Sequence, residues 1–431
     1  MAISARVAVL AFLGVLLVLF LPAGGWTLLG VTTLLVAGVV IDLLLAGSVR
    51  PLRFVRDGDA SVRLGEAATV RLIVENPGSR RVLGRLRDAW QPSAGAQPRQ
   101  VRVDLPSGER RVVETTLTPT RRGDLQAAVV TVRAFGPLGL AARQGSHHVP
   151  WTLRALPPFS SRRHLPSKLA RLRELDGRQA AQIRGQGTEF DSLREYVDGD
   201  DVRSIDWRAS ARRNTTVVRT WRPERDRRII IVLDTGRTSA GRVGDIPRLD
   251  SSMDAALLLA ALASRAGDRV DLLAFDRKLR ANVQGAARSD MLPALVQSMA
   301  TLEPELVESD APAMISEVLA RARRRCLVVL LTDLNPAAIE EGLLPRLSGL
   351  TSRHLLLVGA VSDPHVDKLA AARGTAEAAY DAAAAQRATT DRQRVTAELR
   401  QRGVEVVDAP PEVLPPALAD AYLALKAAGR L

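Results

Sequence analysis

The sequence predicts a multidomain chain: an N-terminal two-helix transmembrane hairpin, a β-sandwich-like domain, and an α/β doubly wound domain. Three patterns predict this order. They are two apolar runs at the N-terminus, apolar–polar alternation in the next segment, and alternating strand and helix patterns after it. The 431 residues suffice for two to three domains, and 46% hydrophobic with 25% charged residues excludes wholesale disorder.

The hairpin is predicted over residues 1–48. Residues 7–21 are apolar without a break, and residues 26–46 are apolar apart from Asp42, so each run approaches the ~20 residues that cross a bilayer. The sequence PAGG at residues 22–25 is a turn signal. A cleaved signal peptide followed by a buried helix is the alternative, but a signal peptide has one apolar core. We expect Asp42 to pair with Arg50 or to extend towards the membrane surface.

The positions of the arginines predict the topology of this hairpin. Arg6 precedes the first run and Arg50, Arg53 and Arg56 follow the second, whereas the turn carries no charge. Positive residues flanking membrane helices stay in the cytoplasm. The sequence therefore predicts a two-pass protein of the inner (plasma) membrane, with both termini and the soluble domains in the cytoplasm.

The net charge and the aromatic content indicate which classes of partner to expect. The net charge is +13 and the isoelectric point is near 11.0, values that can indicate nucleic-acid binding. However, the arginines are interleaved with acids, and aromatic residues that could stack on bases make up only 3%. We therefore expect no nucleic-acid partner. The single cysteine, Cys326, excludes a disulfide framework and a cysteine-based zinc site.

The β-sandwich-like domain is predicted over residues 51–156. Alternating segments at 70–74, 101–105, 111–117 and 127–135 read as half-buried strands separated by turns. No catalytic set occurs among them. The adjacent pair His147 and His148 is expected in a loop, without a metal. Residues 157–184 form a basic linker, which is expected to be a solvated connecting helix; charges that lie near acidic lipid head groups are the alternative.

The α/β domain is predicted over residues 228–431. Short apolar runs at 229–233, 270–275, 327–331, 355–358 and 404–407 predict strands of a mostly parallel sheet, separated by helices of which 374–402 is the longest. Asp234 follows the first of these strands and Asp333 the third. Ligands of such sheets bind at the carboxyl ends of the strands. We therefore expect Asp234 and Asp333 to face each other at that edge.

Between the linker and the sheet, residues 185–227 carry the densest motif of the chain. Alternating acids and arginines surround three aromatic residues, a composition that favours an ion-pair network pinning this segment to the α/β domain. A calcium loop lacks its closing glutamate here, and phosphate binding through the arginines is a further alternative. The motif residues, structural or binding, are Gly187, Glu189, Phe190, Arg194, Tyr196, Gly199, Asp200, Asp201, Arg203, Ile205, Asp206, Trp207, Ser210, Ala211 and Arg212.

This motif, followed by an apolar strand that ends in Asp234, resembles the bacterial family called domain of unknown function 58. The sequence FGPLGL at residues 135–140 is similar to a segment near the end of that family's β region. The resemblance implies a transmembrane pair, a β-rich region and a C-terminal von Willebrand factor A-like domain over residues 228–431. It also implies a MoxR-type AAA+ ATPase as partner, in assembly or maturation of other proteins or in envelope maintenance.

A-like domains often hold Mg²⁺ through hydroxyl and carboxylate oxygens from three loops. The resemblance assigns three residues to such a site: Asp234, Thr238 and Asp333. Gly236 lacks the hydroxyl expected at its position, Ser289 is the candidate from the second loop, and Arg237 would repel a cation. The site is thus expected to be degenerate, with no cofactor and at most weak Mg²⁺ binding.

Together these patterns predict a membrane-anchored, non-enzymatic protein-interaction module. Its partner-binding rim would consist of Asp234, Arg237, Thr238 and Asp333. One alternative is a metal-dependent hydrolase that uses Asp234 and Asp333, although the candidate base His354 falls at the wrong end of a strand. Another is a charge-reading sensor of the envelope or of nucleic acid.

Overall fold

The computed structural model describes residues 2–20, 24–182, 189–213, 215–222, 227–287 and 289–431. The chain divides into two compact units, residues 1–156 and residues 157–431. Both units contain helices and sheets, so the protein is a multidomain chain of mixed secondary structure with β-rich parts.

The first unit combines two apolar helices with two sheets. Its elements are β1 (Ala2–Ile3), α1 (Ala5–Phe20), α2 (Gly24–Leu45), β2 (Arg53–Gly58), β3 (Ser61–Arg63), β4 (Ala68–Glu75), β5 (Val82–Trp90), β6 (Val101–Leu105), β7 (Arg110–Leu117), β8 (Gly123–Phe135) and β9 (Ala141–Leu156). One sheet has the order β1-β9-β8-β5-β6, with β3 beside β9, and the other has the order β2-β4-β7.

Alternating burial explains these strands. In β4, Ala68, Val70, Leu72 and Val74 are at most 1% exposed, while the residues between them face outwards. The predicted strands at 70–74, 101–105, 111–117 and 127–135 are confirmed.

The predicted loop position of His147 and His148 is wrong. Both residues lie within β9, which pairs with β8 along most of its length. The Nε2 atom of His147 lies 2.9 Å from the carbonyl oxygen of Val49, so a backbone contact engages this ring. Within the described ranges, no group of three or more histidine, cysteine, aspartate or glutamate residues could hold a metal ion.

Arg56 lies inside the first unit and not at a membrane surface. Its guanidinium donates to both oxygens of Asp88, at 2.7 and 2.6 Å, and its Nε donates to the carbonyl of Val149 at 2.8 Å. Both side chains of the pair are almost fully buried. Arg56, one of the arginines that follow the second apolar run, therefore neutralises a buried carboxylate inside the fold.

Asp42, near the end of α2, is completely buried and binds the loop between β8 and β9. Its Oδ1 accepts the N–H of Leu138 at 2.8 Å, and its Oδ2 accepts the N–H groups of Leu140 at 2.6 Å and Ala141 at 2.8 Å. The expected pairing with Arg50, or extension to a membrane surface, is wrong, because backbone amides already satisfy this carboxylate.

The loop is shaped for this contact. A Cβ on Gly136 would lie 2.2 Å from the Oδ1 of Asp42, so only glycine leaves room for the carboxylate. Gly139 has a φ of +69°, which favours glycine, and a Cβ there would lie 2.6 Å from Nη1 of Arg6. The same Nη1 donates to the carbonyl of Leu138 at 3.1 Å. The start of α1 and the end of α2 are thus both bonded to this loop.

Two further arginines cap the end of α2. The Nε of Arg143 donates to the carbonyl of Leu43 at 2.9 Å, and Nη1 of Arg80 donates to the carbonyl of Leu44. Guanidinium groups at this position satisfy terminal carbonyls and complement the negative end of the helix dipole.

The two helices differ in length. Among the described residues, one helix is long and apolar enough to cross a membrane: Gly25–Leu45, with 21 residues and a mean hydropathy of 2.4. Helix α1 is apolar but has only 16 residues. The two helices approach closely where a Cβ on Gly14 would lie 2.4 Å from Cγ1 of Val31.

The second unit is an α/β assembly with a small additional sheet. Its elements are α3 (Leu165–Gln182), β10 (Glu189–Glu195), α4 (Trp207–Arg213), β11 (Val217–Arg222), β12 (Arg228–Asp234), α5 (Arg237–Ala240), β13 (Arg242–Val243), β14 (Ile246–Pro247), α6 (Arg248–Arg265), β15 (Arg269–Phe275), β16 (Leu279–Val283), α7 (Met291–Ala300), α8 (Ala311–Arg321), β17 (Leu327–Leu331), α9 (Leu344–Thr351), β18 (Leu355–Val361), α10 (Pro364–Ala371), α11 (Ala376–Gln401), β19 (Glu405–Ala409) and α12 (Leu414–Ala427).

The main sheet has the order β16-β15-β12-β17-β18-β19. All neighbouring strands are parallel except β16, which runs antiparallel to β15. The predicted mostly parallel sheet is confirmed. One face packs against apolar residues of α8, α9 and α11, whereas Ile229, Ile231 and Leu233 face the other side, which α6 and α12 cover.

The segment predicted as a basic linker is a helix of the second unit. The Nζ of Lys168 in α3 donates to both carboxylate oxygens of Asp420 at 2.7 Å, and Leu172 is buried. Just before α3, the hydroxyl of Ser161 donates to Asp254 of α6 at 2.7 Å. Buried Leu172 and these two polar contacts hold the segment against α6 and α12. The segment is therefore a packed part of the second unit and not a solvated linker.

We predict that Asp42→Asn loosens the junction between α2 and the β8–β9 loop. The asparagine places an N–H₂ group among amide donors, so a buried donor loses its acceptor, at a cost of about 3 kcal/mol. Amide hydrogen exchange at Leu140 in the full chain should accelerate by about 100-fold. The matched control is Asp57→Asn, whose exposed pair with Arg71 should leave that rate unchanged. An unaltered rate in Asp42→Asn would contradict the prediction.

Candidate functional site

The carboxyl edge of the main sheet carries the candidate site. Strand β12 ends at Asp234, and Asp333 follows the end of β17 by two residues. These strands are parallel neighbours with Leu233 opposite Leu331, so both acids lie at the same edge. This is the edge where open α/β sheets bind ligands.

Protein donors surround the carboxylate of Asp234, which is only 6% exposed. Its Oδ1 accepts the N–H of Gly236 at 2.8 Å and the hydroxyl of Ser309. Its Oδ2 accepts the hydroxyls of Thr332 at 2.6 Å and Thr238 at 3.4 Å. The acid therefore caps the following turn and joins three loops through short polar side chains.

Ser309 takes the place of the hydroxyl that Gly236 lacks. A Cβ on Gly236 would lie 2.1 Å from the Oγ of Ser309, so the serine fills the space of a side chain at that position. Among the described residues, Ser289, the candidate from the second loop, makes no hydrogen bond to Asp234. The sequence carried no signal for this exchange, because Ser309 lies 75 positions from Asp234 in an irregular loop.

Two arginines hold Asp333, which is also nearly buried. Nη1 of Arg248 donates to its Oδ2 at 3.1 Å, and Nη1 of Arg392 donates to its Oδ1 at 2.6 Å. Arg392 also forms a two-bond contact with Asp408 at 2.7 and 2.8 Å, and its Nη2 donates to the carbonyl of Val361 at 3.1 Å. This side chain from α11 thereby bonds to the ends of three neighbouring strands.

The environment of Arg392 keeps it charged. Burial alone would lower its pKa, but its hydrogen bond to Asp408 and the negative charges of Asp333 and Asp408 outweigh burial and raise the pKa. The cation is therefore a permanent component of this edge. Neither Arg248 nor Arg392 was singled out from the sequence, because each is distant in the chain from Asp333.

Arg237 does not pair with Asp234. Its guanidinium contacts the carboxylate of Glu308, and both side chains are more than half exposed. The N–H of Arg237 donates to the carbonyl of Val307 at 2.8 Å, which holds the 301–310 loop against the start of α5. Leu306 in that loop is 77% exposed. The two loops that bond to Asp234 therefore carry an exposed ion pair and an exposed apolar side chain.

Cys326 and His354 lie at the opposite end of the sheet. The Sγ of Cys326 is 3.4 Å from Nδ1 of His354, and both residues are buried just before β17 and β18. Burial raises the pKa of the Cys326 thiol to about 11 and lowers the pKa of His354. The position of His354 agrees with the expectation that it cannot serve Asp234 or Asp333.

The motif residues form a small substructure within the second unit. Strands β10 and β11 pair antiparallel, and α4 lies between them in the chain. Gly187 lies outside the described residues, and only the backbone of Glu189 and Phe190 is described. Gly199 has a φ of +106°, which suits the tight turn after β10.

The ion pairs of the motif are internal to it. Nη2 of Arg194 donates to Asp200 at 2.5 Å, and Nε of Arg219 donates to Asp206 at 2.9 Å. Within the described part of the chain, no carboxylate pairs with the exposed guanidinium of Arg203. The described partners of Asp200 and Asp206 therefore lie within the motif itself, and the pinning of the motif to the sheet stays a prediction.

The sequence model of the family described as Protein of unknown function DUF58 matches residues 192–405. The matched DUF58 region begins within β10 and ends at the first residue of β19, so it includes most of the motif and both acids of the candidate site.

Curated proteins that this chain resembles are described as uncharacterized. Rv1480 of Mycobacterium tuberculosis and Mb1516 of Mycobacterium bovis are each 26% identical over 193 residues, which is 44% of this chain and 60% of the relative. The chain thus spans about three fifths of the length of the curated relatives it matches.

Two solved structures show only a distant likeness. The CARDB domain of the PF1109 protein from Pyrococcus furiosus, in complex with di-metal ions, is 15% identical and covers 26% of this chain and 91% of its own, with a TM-score of 0.19. SSP-19, an MSP-domain protein like family member in Caenorhabditis elegans, is 19% identical and covers 22% of this chain and 94% of its own, with a TM-score of 0.16. Neither indicates the fold or function of this chain.

The edge of the DUF58 region does not fit Mg²⁺. Both oxygens of Asp234 already accept two hydrogen bonds each, and both oxygens of Asp333 accept guanidinium donors. A divalent cation beside Arg248 and Arg392 would meet like-charge repulsion. Mg²⁺ needs near-octahedral oxygen ligands at fixed distances, and these residues would have to abandon their partners to supply them.

We predict that Mg²⁺ binds this chain no more tightly than a dissociation constant of about 1 mM. Calorimetric titration of Mg²⁺ into the full chain, with Asp234→Ala as the control, measures it. The two proteins should give the same weak response. Micromolar binding by the unaltered chain that disappears in Asp234→Ala would contradict the prediction and restore a metal site.

Proposed function

We propose that the chain is a membrane-anchored, non-enzymatic protein-interaction module whose carboxyl-edge surface docks a protein partner. In this proposal the α/β part of the second unit is a von Willebrand factor A-like domain, as the DUF58 resemblance implies. Helices α1 and α2 form the transmembrane hairpin.

The proposal depends on one observation: the carboxylate oxygens of Asp234 and Asp333 already accept hydrogen bonds from the protein. General acid–base catalysis needs a carboxylate that can reach a substrate proton, and nucleophilic catalysis needs a free lone pair. Asp234 engages three hydroxyls and one amide, and Asp333 engages two arginines. These contacts favour a structural role for both acids, as supports of a contact surface, over a catalytic role in hydrolysis.

The contact surface lies above these acids. Arg237 and Glu308 form an exposed ion pair, Thr238 is partly exposed, and Leu306 projects into solvent. In the predicted rim, Asp234 and Asp333 therefore orient the loops, whereas Arg237, Thr238 and Leu306 would meet the partner. A guanidinium beside an apolar anchor is a combination that protein interfaces favour.

The partner we propose is a MoxR-type AAA+ ATPase, acting with this chain in assembly or maturation of other proteins or in envelope maintenance. Its identity rests on the family resemblance. The membrane anchor rests on the apolar length of α2, the apolar character of α1, and arginines such as Arg6 and Arg143 bonded beside the helix ends. Both termini would lie in the cytoplasm.

We predict that Arg237→Ala reduces capture of a MoxR-type ATPase, purified from the same organism, by the immobilised full chain by about tenfold. Arg242→Ala is the matched control, because Arg242 is also exposed and lies in the neighbouring hairpin, where it should leave capture unchanged. Leu306→Ser should weaken capture as Arg237→Ala does. Undiminished capture by both rim variants would reject this docking surface.

The topology is tested separately. A reporter enzyme that is active only outside the cytoplasm, fused after Leu431, should stay inactive, and a cytoplasmic reporter at the same position should be active. The reverse pair of results would overturn the proposed orientation and, with it, a cytoplasmic ATPase as partner.

A further inference from the structure

The motif substructure, residues 189–213 and 215–222, uses three of its acids internally. Asp200 accepts the N–H of Val197 at 3.0 Å in addition to Arg194, and Asp201 accepts the N–H of Arg203 at 2.9 Å. Asp206 caps α4 by accepting the N–H groups of two residues in its first turn, at 3.1 and 3.0 Å. Each of these carboxylates is thus committed to the backbone of the substructure.

Helix α4 has one inward and one outward side. Ala209 and Ser210 are half-buried, and the hydroxyl of Ser210 donates to the carbonyl of Asp206 at 2.8 Å. Trp207, Arg208, Ala211 and Arg212 are exposed, and their helical spacing places them on one continuous side. The tryptophan is 69% exposed, an unusual state for the largest apolar side chain.

The turn before α4 carries two further exposed side chains. Val202 is 62% exposed and Arg203 is exposed beside it. We name Val202, Arg203, Trp207, Arg208 and Arg212 the arginine–tryptophan face. Within the described ranges, no carboxylate pairs with any of its three guanidinium groups, in contrast to Arg194 and Arg219 of the same substructure. Among the described residues, the face therefore presents three guanidinium groups without a carboxylate partner, together with an exposed aromatic ring.

We propose that the arginine–tryptophan face binds an acidic protein segment that carries an apolar anchor side chain. Guanidinium forks pair with carboxylates through two parallel hydrogen bonds, which matches an acidic segment in charge and geometry. Tryptophan and arginine are the side chains that most often dominate protein interfaces. This is a second docking site, and its residues do not belong to the carboxyl-edge surface.

Other classes of ligand fit the face less well. An amphipathic helix that enters a membrane interface needs an extended apolar side, whereas α4 has seven residues and only one large apolar side chain on that side. Single-stranded nucleic acid needs successive aromatic rings on which bases stack, and this face has one. An acidic segment needs only one anchor with charges around it.

The test uses the full chain in neutral phosphatidylcholine nanodiscs and a fluorescent peptide of alternating glutamate and leucine. The peptide should bind, and a peptide with glutamine in place of glutamate should bind about tenfold more weakly. The double variant R208Q/R212Q and the single variant Trp207→Ala should each weaken glutamate-peptide binding by about tenfold. The matched control R85Q/R87Q, which removes two exposed arginines from β5, should leave it unchanged, as should Arg237→Ala.

Three results would overturn the proposal. One is equal binding of the glutamate and glutamine peptides. Another is unchanged peptide binding in both R208Q/R212Q and Trp207→Ala. The third is flotation with phosphatidylglycerol vesicles that R208Q/R212Q abolishes while peptide binding persists, which would assign the face to a membrane. Because all substituted side chains are exposed, an unchanged melting temperature for each variant is required and expected.

Discussion

A carboxylate that leaves water must keep hydrogen-bond donors around it, and the architecture depends on how this chain meets that requirement. Asp42 receives three backbone amides, Asp234 receives hydroxyls and one amide, and Asp333 receives two guanidinium groups. In each case at least one donor comes from an element far from the acid in sequence. Satisfying the acid therefore also fixes those elements: α2 against the β8–β9 loop, and several loops against the edge of the main sheet.

The same requirement explains where the excess arginine charge goes. Buried or half-buried guanidinium groups such as those of Arg56 and Arg392 neutralise interior acids, so they are unavailable to a ligand. The exposed groups divide into those with a local acidic neighbour, such as Arg237, and those without one among the described residues, such as Arg208 and Arg212. Only these two exposed classes can meet a partner, which is why the proposed docking surfaces lie where they do.

The periodic spacing of apolar residues made much of the fold predictable from the sequence. The candidate site, in contrast, depends on contacts between distant residues, which produce no local sequence pattern. The strands of the sandwich and the main sheet follow from alternation and from apolar runs, because burial acts on neighbouring residues. The partners of Asp42 are backbone amides, which any residue supplies, so only Gly136 hinted at them. Ser309 and Arg392 reach the edge from distant segments, and no local rule selects them over Ser289 or Arg237.

We propose that the carboxyl edge is complete without a metal and supports a protein-binding surface. The most direct measurement is anomalous diffraction from crystals of the full chain soaked in Mn²⁺, which prefers the same oxygen ligands as Mg²⁺. We expect no anomalous peak beside Asp234 and Asp333, with Thr332 still bonded to Asp234 and Arg392 still bonded to Asp333. A peak coordinated by both acids, with Arg392 displaced, would contradict it.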